Sequence, residues 1–233
     1  MGETERKLPA MMRDRRVLPS ILSADFARLG SQVDEVIAAG ARVIHVDVMD
    51  GHFVPPITIG PLIVSALADR VHGAGALIDV HLMIERPERQ VDEFARAGAD
   101  SILVQAEATP HLHFALGAIR DAGAAAGAVV SPATPADALA EVALDALDLA
   151  LCMSVNPGWG GQAFIPASID KLGRMRAMLP EGVALEVDGG ISPDTAGPCA
   201  AAGANLFVAG SAVFGADDPA GAYAAIVEAA GAS

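Results

Sequence analysis

The chain is poor in the residues that several kinds of chemistry depend on. It has two cysteines, Cys152 and Cys199, each inside an apolar segment. With no secretory context, two reduced, buried thiols are expected and not a disulfide framework. It has two lysines, Lys7 and Lys171. Neither falls at the end of a predicted strand, which excludes a Schiff-base aldolase with a desolvated lysine in its site. No apolar run is long enough to cross a bilayer. The first residues, Met1–Asp14, lack an apolar secretory core, and Arg6 stands where a myristoylation signal carries Ser or Thr. A soluble, cytoplasmic protein is expected. Charged residues make up 19%, and the net charge is −14. That balance excludes nucleic acid and anionic membrane as partners. It also means that an anionic substrate needs a local anion site.

What is present is core. The 233 residues are 52% hydrophobic, and no linker-like shift in composition divides them. Residues 1–14 read as a flexible N-terminal tail, and 15–233 as one domain. Eight short apolar segments read as strands: Val17–Leu22, Val43–Val48, Leu77–Met83, Ser101–Gln105, Ala128–Val130, Leu149–Val155, Val183–Asp188 and Leu206–Gly210. Helical segments follow them, with Pro135 opening one at its first position. Regular βα alternation predicts a parallel sheet, and eight units predict an α/β single-domain (β/α)8 TIM barrel. The competing doubly wound sheet lacks its nucleotide fingerprint after the first strand.

In such a barrel, chemistry collects at the C-terminal strand ends. His45-Val-Asp47-Val-Met49 puts an imidazole and a carboxylate on one strand face. Asp79-Val-His81-Leu-Met83 repeats the period, and Glu186-Val-Asp188 adds a further carboxylate. His45, Asp47, His81 and Asp188 therefore converge on one mouth. They suit one divalent cation, namely Zn, Fe, Co or Mn. The alternative is four separately satisfied core groups. The turns Asn156–Gln162, Asp188-Gly189-Gly190 and Gly210-Ser211 offer backbone N–H groups as a phosphate cradle that needs no basic patch. The Trp159 loop, with glycine on both sides, reads as a mobile lid. Met49, Met83 and Met153 read as a soft apolar lining. His52, His72, His111 and His113 read as loop histidines.

These residues resemble the ribulose-phosphate 3-epimerase family. The likeness runs from Pro19-Ser-Ile-Leu-Ser-Ala-Asp-Phe26 to Val208-Ala-Gly-Ser-Ala-Val-Phe214. It includes His45-Val-Asp-Val-Met-Asp-Gly-His-Phe-Val-Pro55, Asp79-Val-His-Leu-Met83, Met153-Ser-Val-Asn-Pro-Gly-Trp-Gly-Gly-Gln162 and Glu186-Val-Asp-Gly-Gly-Ile191. The resemblance implies a TIM barrel, usually oligomeric, that interconverts D-ribulose 5-phosphate and D-xylulose 5-phosphate with one divalent metal. The pathways it implies are the pentose phosphate pathway and the Calvin cycle. It implies His45, Asp47, His81 and Asp188 as metal ligands, and Asp47 and Asp188 as the acid/base pair. It implies Ser20 and His81 as substrate contacts. It implies Gly158, Trp159, Gly160, Gly161, Gly189, Gly190, Gly210 and Ser211 as phosphate and substrate loops.

The chain departs from the family pattern at Gln105 (usually His), Pro56 (Asn), Trp159 (Phe) and Ser131 (Asn), positions that bear on the shape of the mouth. Inversion at C3 through a metal-stabilised enediolate needs bases on opposite faces, with Asp47 as base and Asp188 as acid in one direction. A hexulose 6-phosphate epimerase stays open, and so does a barrel that binds without turnover.

Overall fold

The computed structural model describes residues 9–140, 142 and 146–233. Eight parallel strands form one sheet: β1 (Arg16–Pro19), β2 (Val43–Met49), β3 (Leu77–Met83), β4 (Ser101–Gln105), β5 (Ala125–Val130), β6 (Leu149–Met153), β7 (Ala184–Asp188) and β8 (Leu206–Ala209). Each strand pairs with the next in sequence from β2 to β8, and β8 pairs with β1. An isolated parallel bridge between Ser20 and His45 joins β1 to β2. The molecule is a TIM barrel, and its last seam lies beside the predicted site.

The helices are α1 (Leu29–Ala38), α2 (Pro61–Gly73), α3 (Val91–Ala97), α4 (Leu112–Ala122), α5 (Ser168–Met178), α6 (Pro193–Ala201), the short α7 (Ser211–Phe214) and α8 (Pro219–Ala230). Successive strand side chains alternate between two faces, as the pleat requires. Ile44, Val46 and Val48 of β2 face the helices with Ile78, Val80 and Leu82 of β3. The inward set differs around the barrel. Leu103, Val129, Leu149, Leu151, Leu206 and Val208 fill one side with hydrocarbon. His45, Asp47, Asp79 and His81 of β2 and β3 are buried in the interior with Glu186 of β7, which reaches His45 across the barrel.

Three expectations change. Residues 9–14 are not a loose tail, because Met12 is fully buried in the interior cluster with Leu18 and Leu149. Asn205 Nδ2 donates to the Met12 carbonyl at 3.0 Å, so the segment plugs the bottom of the barrel. Residues 1–8 lie outside the described residues. The strand β5 begins at Ala125, before the predicted Ala128, because pairing with β4 overrides the weak strand preference of Ala and Gly. Shortly after β5 comes a 3-10 turn, Ala136–Leu139, and Pro135 before it is extended (φ −57, ψ 146). The α-helix expected to open at Pro135 is thus replaced, over these residues, by one tight turn.

Candidate metal centre and active site

The register of β2 on β3 builds the site. His45 is paired with Asp79, Asp47 with His81, and Met49 with Met83. Two strands with the same alternation therefore stack an imidazole against a carboxylate twice, with opposite order. The strand β7 brings Asp188 to the same level from across the barrel. One donor atom from each of His45, Asp47, His81 and Asp188 lies within 4.8 Å of all the others. His45 Nε2 is 3.3 Å from Asp47 Oδ1. His81 Nδ1 is 3.3 Å from Asp47 Oδ1 and 3.8 Å from Asp188 Oδ2.

These donors fit a divalent ion. His45 Nε2, Asp47 Oδ1 and His81 Nδ1 are buried and have no hydrogen-bond partner. Buried polar atoms are normally paired, so three orphans aimed at one point are the signature of a ligand set. The outer partners fit as well. His45 Nδ1 lies 2.7 Å from Asp79 Oδ2, which directs Nε2 toward the cluster. Asp79 also accepts from Ser101 Oγ. Ser20 Oγ accepts from the Leu22 N–H at 3.3 Å and donates to Asp47 Oδ2 at 2.5 Å. Thr58 Oγ1 accepts from the Met49 N–H and donates to the Asp47 carbonyl, both at 2.9 Å, fixing the strand end.

The electrostatics split the two carboxylates. Burial opposes charge on Asp47, but His45 and His81 outweigh it and hold the carboxyl well below the usual range. Burial and the charge of Asp47 push Asp188 up to about 8. Burial and the charge of Asp79 push Glu186 up to about 8 too. Burial works against a proton on His45, yet Asp47, Asp79 and Glu186 prevail and raise it well above its ordinary value.

Above the cluster is one cavity. Ser20, Asp47, Met49, Met83, Met153 and Asp188 line it. So do Gly158, Trp159, Gly160, Gly161, Gly189, Gly190, Gly210 and Ser211. His45 and His81 are fully buried below and do not line it. Gly190 is held at φ +64, where a Cβ would meet the Phe164 backbone nitrogen at 2.7 Å, so this turn requires glycine. Ser154 Oγ donates to the carbonyls of Asp188 (2.9 Å) and Gly189 (2.6 Å). Gln162 Nε2 donates to the carbonyls of Asn156 and Trp159, and the Trp159 side chain is 58% exposed.

Gln105 and Ser131 do not line the cavity, although both stand at strand ends. Glu107 is a loop anchor, accepting from the Ser131 N–H at 2.8 Å and from Thr134 Oγ1. Cys152 and Cys199 are both free and buried, as expected. Asp79 and Glu186 join the site although the sequence assigns them no role. Their signal is present, since each sits two residues before a predicted ligand on the same strand face. Ser154 and Thr58 carry no such signal.

An eight-stranded parallel barrel with a His2Asp2 cluster under a glycine-lined mouth defines a barrel enzyme equipped for chemistry at its C-terminal end. The model of the Ribulose-phosphate 3 epimerase family matches residues 16–214. The ribulose-phosphate 3-epimerase of Bacillus subtilis is 51% identical over 207 residues, covering 87% of this chain and 94% of that protein. That of Synechocystis is 52% identical over 221 residues, covering 93% and 94%. The chain belongs to the ribulose-phosphate 3-epimerase family and is an isomerase. Solved structures extend the likeness in fold alone. KGPDC from Streptococcus mutans superposes with a TM-score of 0.73 at 19% identity, covering 94% of this chain and 98% of that one. The 3-hexulose-6-phosphate synthase of Salmonella typhimurium gives 0.71 at 17% identity, covering 92% and 98%. Among the described residues, no helix is long and apolar enough to cross a membrane.

Proposed function

We propose that the chain epimerises D-ribulose 5-phosphate to D-xylulose 5-phosphate at C3 by transfer of protons between two carboxylates, with one divalent cation held by His45, Asp47, His81 and Asp188. The observation that carries this reading is the set of donor atoms within 4.8 Å of one another, from two imidazoles and two carboxylates, beneath the cavity.

The C3 proton of a 2-ketose is α to the carbonyl and too weakly acidic to leave unaided. A bound divalent ion supplies a Lewis acid that stabilises negative charge developing on substrate oxygen. Asp47 takes the proton at C3 from one face. Asp188, on the other side of the cluster, delivers a proton to the other face. The reverse reaction exchanges the two roles. Ser20 Oγ, donating to Asp47 Oδ2, orients the base. Met49, Met83 and Met153 keep water from the reacting centre. The phosphate lies against the turns Gly158–Gly161, Gly189-Gly190 and Gly210-Ser211, where α7 begins at Ser211 and leaves its first N–H groups unused within the helix. Uncharged donors of this kind bind an anion on a protein of net charge −14.

On the same reading, which family membership supports, the proposed enzyme works in the cytoplasm as a homo-oligomer and serves the pentose phosphate pathway or the Calvin cycle. The test is conversion of D-ribulose 5-phosphate by protein stripped with a chelator and then reloaded with Zn²⁺, Fe²⁺, Co²⁺ or Mn²⁺. Activity is expected to vanish on stripping and to return with at least one ion. Full activity of the stripped protein would refute the metal's part in the reading.

A further inference from the structure

The two histidines of the cluster turn different nitrogens toward it, and different groups stand behind them. His45 presents Nε2, with the Asp79 carboxylate behind Nδ1. His81 presents Nδ1, and its Nε2 is 3.1 Å from Gln105 Nε2, the amide's donor end. Gln105 and His81 are both fully buried, so water does not serve that nitrogen. A neutral imidazole has one N–H and one lone pair. If Nδ1 gives its lone pair to a cation, the proton must sit on Nε2 and needs an acceptor. The two ends of an amide have nearly the same shape, and either can face the ring.

We infer that Gln105 is a positioning residue: with a cation in the cluster it turns its carbonyl oxygen to the His81 Nε2–H, fixing the tautomer that leaves Nδ1 free to bind. The inference rests on the metal reading above and adds the group that makes His81 a ligand. The other end of the amide has its own partner. In the structure Ser131 Oγ is 3.5 Å from Gln105 Oε1. Ser131 is pinned on both sides, its N–H by Glu107 and its carbonyl by Lys171 Nζ at 2.6 Å. With the NH2 end donating to the Ser131 hydroxyl, the turned amide keeps a partner at each end, whereas the orientation in the structure, with Nε2 toward the ring and Oε1 accepting from Ser131 Oγ, satisfies His81 only while its proton sits on Nδ1. Gln105 and Ser131, two departures from the family pattern, thus meet in one hydrogen-bonded chain that ends on a ligand. They act on the cluster from behind and not on the shape of the mouth.

The experiment is Co²⁺ and Zn²⁺ affinity, by competition with a chromophoric chelator, for the parent, Gln105→Met and Gln105→Glu. Methionine keeps the bulk and removes the acceptor. Glutamate keeps an oxygen acceptor and removes the N–H. Gln105→Met is expected to bind about 10- to 100-fold more weakly, and Gln105→Glu no more weakly than the parent. In the Zn²⁺-loaded parent, ¹H–¹⁵N NMR is expected to show a slowly exchanging, downfield His81 Nε2–H, lost in Gln105→Met. Parent-like affinity of Gln105→Met would overturn the inference. So would weak binding by Gln105→Glu, which stands alone as the test if the methionine variant does not fold, because an amide acting as donor cannot be replaced by a carboxylate. A parent that binds neither ion would refute the metal reading itself, and the inference with it.

Discussion

Asp47 and Asp188 reach toward the same point from β2 and β7, yet their surroundings pull them in opposite directions. Two imidazoles favour the charged form of Asp47, whereas burial and Asp47 itself disfavour the charge on Asp188. In the proposed mechanism the pair serves the two faces of C3. Asp188→Asn is expected to slow epimerisation by about 10²- to 10⁴-fold. Asp47 remains, so exchange of the C3 proton of one epimer with solvent outlasts inversion, and kinetics beside NMR exchange check this. Equal loss of both, with metal still bound, would contradict the division of roles. Asp79→Asn weakens the acceptor behind His45 and is expected to lower metal affinity by about 10- to 100-fold, read by chelator competition. The clustering of His45, Asp47, His81 and Asp188 was legible in the sequence because period-2 spacing decides which residues share a strand face. The Gln105–His81 contact was not, because it depends on how two strands stagger, and no local pattern encodes that register.

The strands carry the site because their alternation separates two environments. Outward positions pack on helices, and inward positions hold a hydrocarbon cluster together with the polar groups of β2, β3 and β7. Gly127 of β5 faces Leu103 so closely that a Cβ would fall 2.5 Å from Leu103 Cγ. Gly127→Ala is therefore expected to destabilise the fold by about 1–3 kcal/mol through overpacking, measured as a lower denaturation midpoint at unchanged slope. Elements with strong β-branched runs, such as β2 and β3, were legible with nearly correct bounds. The opening of β5 was not, since Ala125-Ala126-Gly127 has no strand preference of its own and is drawn in by its neighbour. The burial of Met12 was hidden for a related reason. The short apolar run Ala10-Met11-Met12 gives no periodicity, and the burial of Met12 comes from packing on the strand starts at the bottom of the barrel.

Across the whole molecule, charge and metal are linked. Asp188 and Glu186 are raised from ordinary values of 3.8 and 4.5 to about 8. Between those limits the folded chain holds protons that the unfolded chain has released, so the stability of the stripped protein falls as pH rises through that window. The raised His45 acts in the same direction. The lowered Asp47 acts in the opposite sense, its contribution being lost as pH falls below the ordinary carboxylate range. Thermal melts of stripped protein are thus expected to decline toward pH 8 and above, and loading with metal removes most of that decline. Cation uptake at pH 7 is expected to release protons, measurable as a buffer-dependent heat. The central claim is transfer between two carboxylates on opposite faces of the substrate. It is tested most directly by ¹H NMR of the metal-loaded enzyme turning over D-ribulose 5-phosphate in D₂O. Xylulose 5-phosphate is expected to carry deuterium at C3 from its first appearance. Product that keeps its original hydrogen there would contradict two-carboxylate transfer.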